Sequence, residues 1–214
     1  MNLLRINKEI RPVYWVDNFL SNEEIDKILK YAEQINPEPA KVGGNIQEEE
    51  KKPFTIDYHI KNPNLGNVPR IRQSIIKWIE LNPDTNWLYK KLISQIHKVN
   101  QENFDYILKF VENLQLTEYN ENQHGFYLKH DDCGNISGLE NFVDIRKLSF
   151  TIQLSNSEDY EGGELVLYNN KEFIAPKTKG TIIFFQSKIL HEVKPVKKGT
   201  RYALVSWAQG PNLR

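Results

Sequence analysis

Near Phe104 the chain changes texture, and that change constrains the fold more than any other feature. Beyond it, short runs rich in aromatic and β-branched residues follow one another at 106–110, 114–119, 147–154, 164–168, 181–185, 191–193 and 201–207, separated by clusters of Gly, Asn, Pro and Lys. Such runs are too short for helices that bury a face. Turn residues at this spacing predict a β-sandwich or a closed barrel. The first half reads as mostly helical. Ser21-Asn22-Glu23-Glu24 is a capping box: the Ser hydroxyl accepts from the backbone N–H three residues on, and Glu24 reaches back. Ile25, Ile28, Leu29 and Ala32 then recur at helical spacing. Further helical patterns are read over 71–81 and 85–99. The expected fold is α+β. An N-terminal helical region, 1–103, supports a jelly-roll (double-stranded β-helix) core, 104–214, within one structural domain.

The 28 basic residues balance 28 acidic ones, so the net charge is zero and no long-range pull on nucleic acid or an anionic membrane is expected. A single cysteine, Cys133, excludes an intrachain disulfide and fits a reducing compartment. Met1-Asn2-Leu3-Leu4-Arg5 is too short and polar for a signal peptide. No run approaches the roughly 20 apolar residues that span a bilayer. The chain is therefore expected to be soluble and cytoplasmic, with no membrane or nucleic-acid partner. Residues 36–52, with Gly43-Gly44 and the run Glu48-Glu49-Glu50-Lys51-Lys52, read as a polar loop, as do residues 133–145. Both are candidates for covering a substrate.

Chemistry concentrates in the second half. In Phe126-Tyr127-Leu128-Lys129-His130-Asp131-Asp132, strand alternation points His130 and Asp132 one way and Asp131 the other. His191, between Ile189-Leu190 and Val193, is the candidate third ligand. Two imidazoles and a carboxylate on one side of an ion leave positions open for oxygen and substrate, and suit Fe(II). The rivals are His124, in the turn-like run 120–123; Asp131, if a bulge shifts the register; and a zinc site using Cys133. His59 and His97 are expected on the surface. In the last strand, Arg201, Ala203, Val205 and Trp207 share a face. A guanidinium among apolar residues needs an anion, and Arg pairs bidentately with carboxylates. Ala203 leaves space for a small dicarboxylate reaching from Arg201 to a metal. A rim arginine paired with Asp or Glu is the alternative.

The order His130-x-Asp132, then His191, then Arg201 ten positions later resembles the Fe(II)/2-oxoglutarate-dependent dioxygenases. The runs His191-Glu192-Val193-Lys194-Pro195, Arg201-Tyr202-Ala203-Leu204-Val205-Ser206-Trp207 and Tyr160-Glu161-Gly162-Gly163-Glu164-Leu165 are similar to the prolyl 4-hydroxylase branch, in its small microbial and phage form. The likeness covers roughly residues 114–211. It implies that His130, Asp132 and His191 ligate iron and that Arg201 binds the distal carboxylate of 2-oxoglutarate. It places the Tyr119 hydroxyl near the cosubstrate. It places Gln153 where relatives carry a tyrosine that supplies a second polar contact. Arg201 itself stands where collagen-type enzymes usually have Lys. Trp207 either lines the pocket or packs in the core. The resemblance implies Fe(II), 2-oxoglutarate and ascorbate as cofactors, and molecular oxygen with a peptide or protein substrate as partners. The implied activity is hydroxylation of a peptidyl proline, coupled to decarboxylation of 2-oxoglutarate to succinate. Alternatives are the same chemistry on another amino acid or a small metabolite, a zinc hydrolase, and a non-catalytic jelly-roll binding module.

Overall fold

The structure, a computed structural model, describes residues 11–40, 71–133 and 144–211. Among the described residues there are two α-helices, α1 (Asn22–Glu33) and α2 (Asn86–Val99). The capping box at the start of α1 is present, with Ser21 accepting from the Glu24 N–H and Glu24 from the Ser21 N–H. Thr85 precedes α2 without capping it: its hydroxyl accepts from the Asn82 N–H at 2.9 Å instead and donates to the Glu80 carbonyl at 2.6 Å.

The described strands, in chain order, are β1 (Val13–Val16), β2 (Glu38–Pro39), β3 (Arg72–Gln73), β4 (Ile75–Ile79), β5 (Phe110–Val111), β6 (Leu114–Asn120) and β7 (Phe126–His130), then β8 (Asp144–Gln153), β9 (Tyr160–Gly162), β10 (Leu165–Asn169), β11 (Lys171–Ile174), β12 (Ile182–Gln186), β13 (Leu190–Val193) and β14 (Val196–Pro211). They form two antiparallel sheets, the two walls of a double-stranded β-helix. The larger runs β1-β12-β8-β14-β6-β4-β2, with β5 and β9 paired along β14; the smaller runs β11-β10-β13-β7-β3.

Strand alternation decides what each face does. On β8, Leu148, Phe150 and Ile152 join the core shared with Ile25 and Ile28 of α1 and Leu88, Leu92 and Ile96 of α2. Ser149, Thr151 and Gln153 take the opposite face. The same split places Leu114 and Leu116 of β6 and Leu204 and Ala208 of β14 against the helices. A second apolar cluster, with Leu165, Leu167, Ile183, Phe185 and Val193, fills the space between the sheets. The helices thus support the larger sheet from outside, while its inner face turns toward the smaller sheet.

Residues 71–81 depart from the helical reading, since they form β3 and β4. The spacing of Ile71, Ile75, Ile76 and Ile79 suits a helix, but β4 pairs with β6 from Ile75↔Glu118 to Ile79↔Leu114. Helical hydrogen bonding would leave that edge of β6 unpaired, and the β-branched isoleucines suit a pleated surface. The first half is accordingly less helical than expected: β1 pairs with β12 and β4 with β6, so strands before residue 104 extend the larger sheet. Of 106–110, only Phe110 is in a strand. Residues 41–52 and 134–143 of the two expected loops, and His59, lie outside the described residues. Among the described residues, no helix is long and apolar enough to cross a membrane.

Candidate active site

Between the sheets lies a narrow cavity of about 50 Å³. Three chemistry-bearing side chains converge on one part of its wall. β7 ends at His130, Asp132 follows two residues later, and β13 supplies His191 opposite His130 in the strand register. Their candidate ligand atoms all lie within 4.8 Å of one another. Nε2 of His130 is 3.8 Å from Asp132 Oδ1, and Nε2 of His191 is 3.5 Å from Asp132 Oδ2.

Main-chain carbonyls fix the tautomers. Nδ1 of His130 is 2.7 Å from the Leu128 oxygen, and Nδ1 of His191 is 2.8 Å from the Ile189 oxygen. A carbonyl oxygen only accepts, so each Nδ1 carries a proton and each ring turns its Nε2 toward the carboxylate. Burial, and then the neighbouring His191, push the His130 pKa down to about 4, so this ring is neutral at pH 7. The His130 lone pair facing a carboxylate oxygen calls for a positive centre between them, and the convergence of three ligand atoms fits a cation. The rings are braced by neighbours: Tyr127 stacks on His130 at 3.5 Å, and Phe185 meets His191 edge-on at 4.7 Å. Ser149, fully buried, donates to Asp132 Oδ2 at 2.6 Å and lies 3.0 Å from the Ser187 hydroxyl.

The rival ligands are elsewhere. Asp131 is exposed and accepts from the Cys133 N–H. His124 sits in a left-handed turn conformation, with φ at 47°, outside the cluster. Cys133 also stands outside it, and burial raises its thiol pKa. His97 is exposed on α2.

Arg201, Ala203, Val205 and Trp207 all line the same cavity, as the alternation of β14 requires. Arg201 is only 2% exposed. Its Nη2 donates to Gln153 Oε1 at 3.1 Å, and its guanidinium lies 5.5 Å from the centre of the Tyr119 ring. Among the described residues it has no carboxylate partner, so the rim ion-pair alternative does not hold. Trp207 is both a lining residue and nearly sealed: its Nε1–H has no described partner, and Arg146 stacks over its ring at 3.7 Å.

Sequence reasoning missed several lining residues. Arg72 stacks on Tyr127 at 4.7 Å and donates to Ser74, Gln115 and Thr117. Gln115 and Thr117 share the inward parity of Tyr119 on β6, which was a readable signal. Arg72 had none, because its segment was read as a helix.

Comparison with known proteins agrees with this geometry. Residues 114–209 match the sequence model described as the 2OG-Fe(II) oxygenase superfamily. A PKHD-type hydroxylase of Crocosphaera subtropica is 35% identical over 100 residues, covering 46% of this chain and 43% of the relative. A PKHD-type hydroxylase of a Synechococcus strain is 46% identical over 63 residues, covering 29% of this chain and 28% of the relative. The match thus spans less than half the length of these curated relatives. In fold, the chain is similar to a Pseudomonas putida prolyl-4-hydroxylase, with a TM-score of 0.62 and 16% identity over 94% of each chain. It is also similar to a Trichoplax adhaerens prolyl hydroxylase solved with a hypoxia inducible factor peptide fragment, with a TM-score of 0.66 and 22% identity over 92% of this chain and 83% of that one. Residues 114–209 are thus similar to the 2OG-Fe(II) oxygenase superfamily, and the chain has the fold of the prolyl 4-hydroxylases to which it is compared.

Proposed function

We propose that the chain is an Fe(II)- and 2-oxoglutarate-dependent oxygenase that hydroxylates a peptidyl proline and converts 2-oxoglutarate to succinate. One observation carries the reading: a single cavity holds a His-Asp-His donor set together with a buried guanidinium that lacks a described carboxylate. A binding module has no physical reason to keep both. A zinc hydrolase has no use for the second.

The residues fit the groups. Two imidazoles and one carboxylate are the donor set that suits non-haem Fe(II). His130, Asp132 and His191 would hold the ion, which when bound supplies oxygen activation. Arg201 neutralises and orients the distal carboxylate of 2-oxoglutarate, with Gln153 beside it and the Tyr119 ring under the guanidinium. Ala203 leaves the room that a bulkier residue would fill. Leu165, Phe185, Val193 and Val205 wall the cavity with apolar surface and exclude water from the reacting atoms.

The proline substrate is supported by the fold neighbours, which are prolyl hydroxylases, one of them solved with a peptide. A second substrate reading has its own observation. Arg72 lines the same cavity and, among the described residues, donates only to neutral acceptors. A free amino acid or another small carboxylate would pair with it.

Anaerobic titration with Fe(II) and 2-oxoglutarate tests the chemistry. Wild-type protein develops a weak visible charge-transfer band, and Asp132→Ala does not. A folded protein that gives neither a band nor, with oxygen and ascorbate as reductant, any succinate would overturn the oxygenase reading. Mass spectrometry of proline-rich peptides and free amino acids after turnover, read for one added oxygen, decides between the substrates.

A further inference from the structure

One turn reaches two of the three candidate ligands. Residues 186–189 lead from β12 to β13, and the Ile189 N–H closes the turn on the Gln186 carbonyl at 2.9 Å. The register of β12 on β8, which ends at Gln186↔Leu148, lays this turn beside Ser149. Within it, the Ser187 carbonyl accepts from the Asp132 N–H at 2.8 Å, and the Ser187 N–H donates to the Lys147 carbonyl at 3.0 Å. The Ile189 carbonyl holds Nδ1 of His191. The main chain of the turn thus fixes the backbone of Asp132 and the ring of His191. The Ser187 hydroxyl takes no part in those bonds. It lies 3.0 Å from Ser149 Oγ.

Proton counting gives that contact a direction. A serine hydroxyl has one proton to donate. Ser149 gives its proton to Asp132 Oδ2 at 2.6 Å. Only lone pairs remain for Ser187, so Ser187 is the donor of the 3.0 Å bond. The chain therefore runs from Ser187 to Ser149 to Asp132, with each proton turned toward the carboxylate. Ser187 and Ser149 are 1% and 0% exposed, so bulk water does not stand in for either hydroxyl. In a buried chain each hydrogen bond polarises the next. Accepting from Ser187 makes Ser149 a stronger donor and holds its oxygen against turning away from Asp132. A carboxylate held at Oδ2 keeps Oδ1 toward His130 and Oδ2 toward His191.

We propose that Ser187 is a positioning residue for the Asp132 carboxylate, acting through Ser149. The proposal rests on the oxygenase reading and deepens it, since it assigns what orients the carboxylate of the iron site.

The test is a double-mutant cycle read by calorimetry with Mn(II), which needs no turnover. Ser187→Ala, Ser149→Ala and the double variant are compared with wild-type protein. Ser187→Ala should bind Mn(II) roughly three- to tenfold more weakly, the size of one neutral hydrogen bond. In the Ser149→Ala background the same substitution should change nothing further, because the relay is already cut. A general loosening of the turn would instead weaken binding by the same factor in both backgrounds, and that additivity overturns the proposal. So does a Ser187→Ala variant that binds Mn(II) as tightly as wild type. If the alanine variant does not fold, Ser187→Cys fills the space with a far weaker donor and takes its place in the cycle. Wild-type protein that binds no Mn(II) sinks the oxygenase reading itself, which keeps the two failures apart.

Discussion

Ser149 shows how much of the site rests on one hydroxyl. It donates to Asp132 Oδ2 at 2.6 Å, and the oxygen it satisfies is the one that faces His191. Ser149→Ala leaves that buried carboxylate oxygen short of a donor and free to rotate. Hydrogen bonds of this kind typically govern metal affinity by about 10- to 100-fold. The variant should bind Mn(II) at least about tenfold more weakly by calorimetry, and Ser149→Thr, which keeps the hydroxyl, should recover most of the loss. His130, Asp132 and Arg201 were legible in the sequence because strand alternation is local: a residue's neighbours settle which way it points. Ser149 and Ser187 were not, since their significance comes from segments far apart in the chain. Asp132 and Ser149 become partners only when the segment after β7 is laid against β8.

Elements were legible in proportion to how much of their stabilisation is local. α1 carries its own start signal and apolar stripe, and it forms where expected. The segment 71–81 was misread because isoleucines four apart satisfy a helix and a strand equally, and the deciding term, the free edge of β6, lies some 40 residues away. Short strands such as β1, β9 and β11 carry almost no periodic signal and exist through β12, β14 and β10. The junction of α1 with the sheet depends on Gly180, whose φ is +83° and whose carbonyl accepts from the Leu20 N–H at 3.1 Å. A methyl at Gly180 would run into the Leu20 carbonyl oxygen. Gly180→Ala is therefore expected to destabilise the fold by about 1–3 kcal/mol, seen as a lower urea midpoint with an unchanged slope.

At the scale of the whole molecule, the site and the stability of the fold are linked through protons and metal. The His130 pKa falls from 6.5 to about 4 on folding, chiefly through burial. Between those values the unfolded chain binds more protons than the folded one, so acid favours unfolding there. The stability of metal-free protein should be full above pH 6.5 and decline as the pH falls toward 4. Urea midpoints at pH 7.5, 6 and 5 check this, and His130→Asn should show a shallower decline. A metal that binds only the folded state stabilises it by about 2.7 kcal/mol at 100 times its dissociation constant. Mn(II) should accordingly raise the melting temperature of wild-type protein, and raise it far less in Asp132→Ala.

By itself the sequence determined the direction in which the residues of β7 and β14 point, where α1 begins, and the presence of two histidines, an aspartate and an arginine in a suggestive order. These follow from backbone periodicity and capping, which act over a few residues. Only the tertiary structure decided that β7 and β13 lie side by side, that Arg201 is sealed without a described carboxylate, and that main-chain carbonyls hold both imidazoles with Nε2 facing Asp132. The physical reason is that a strand's hydrogen bonds are made by its neighbours, and no local pattern names the neighbour.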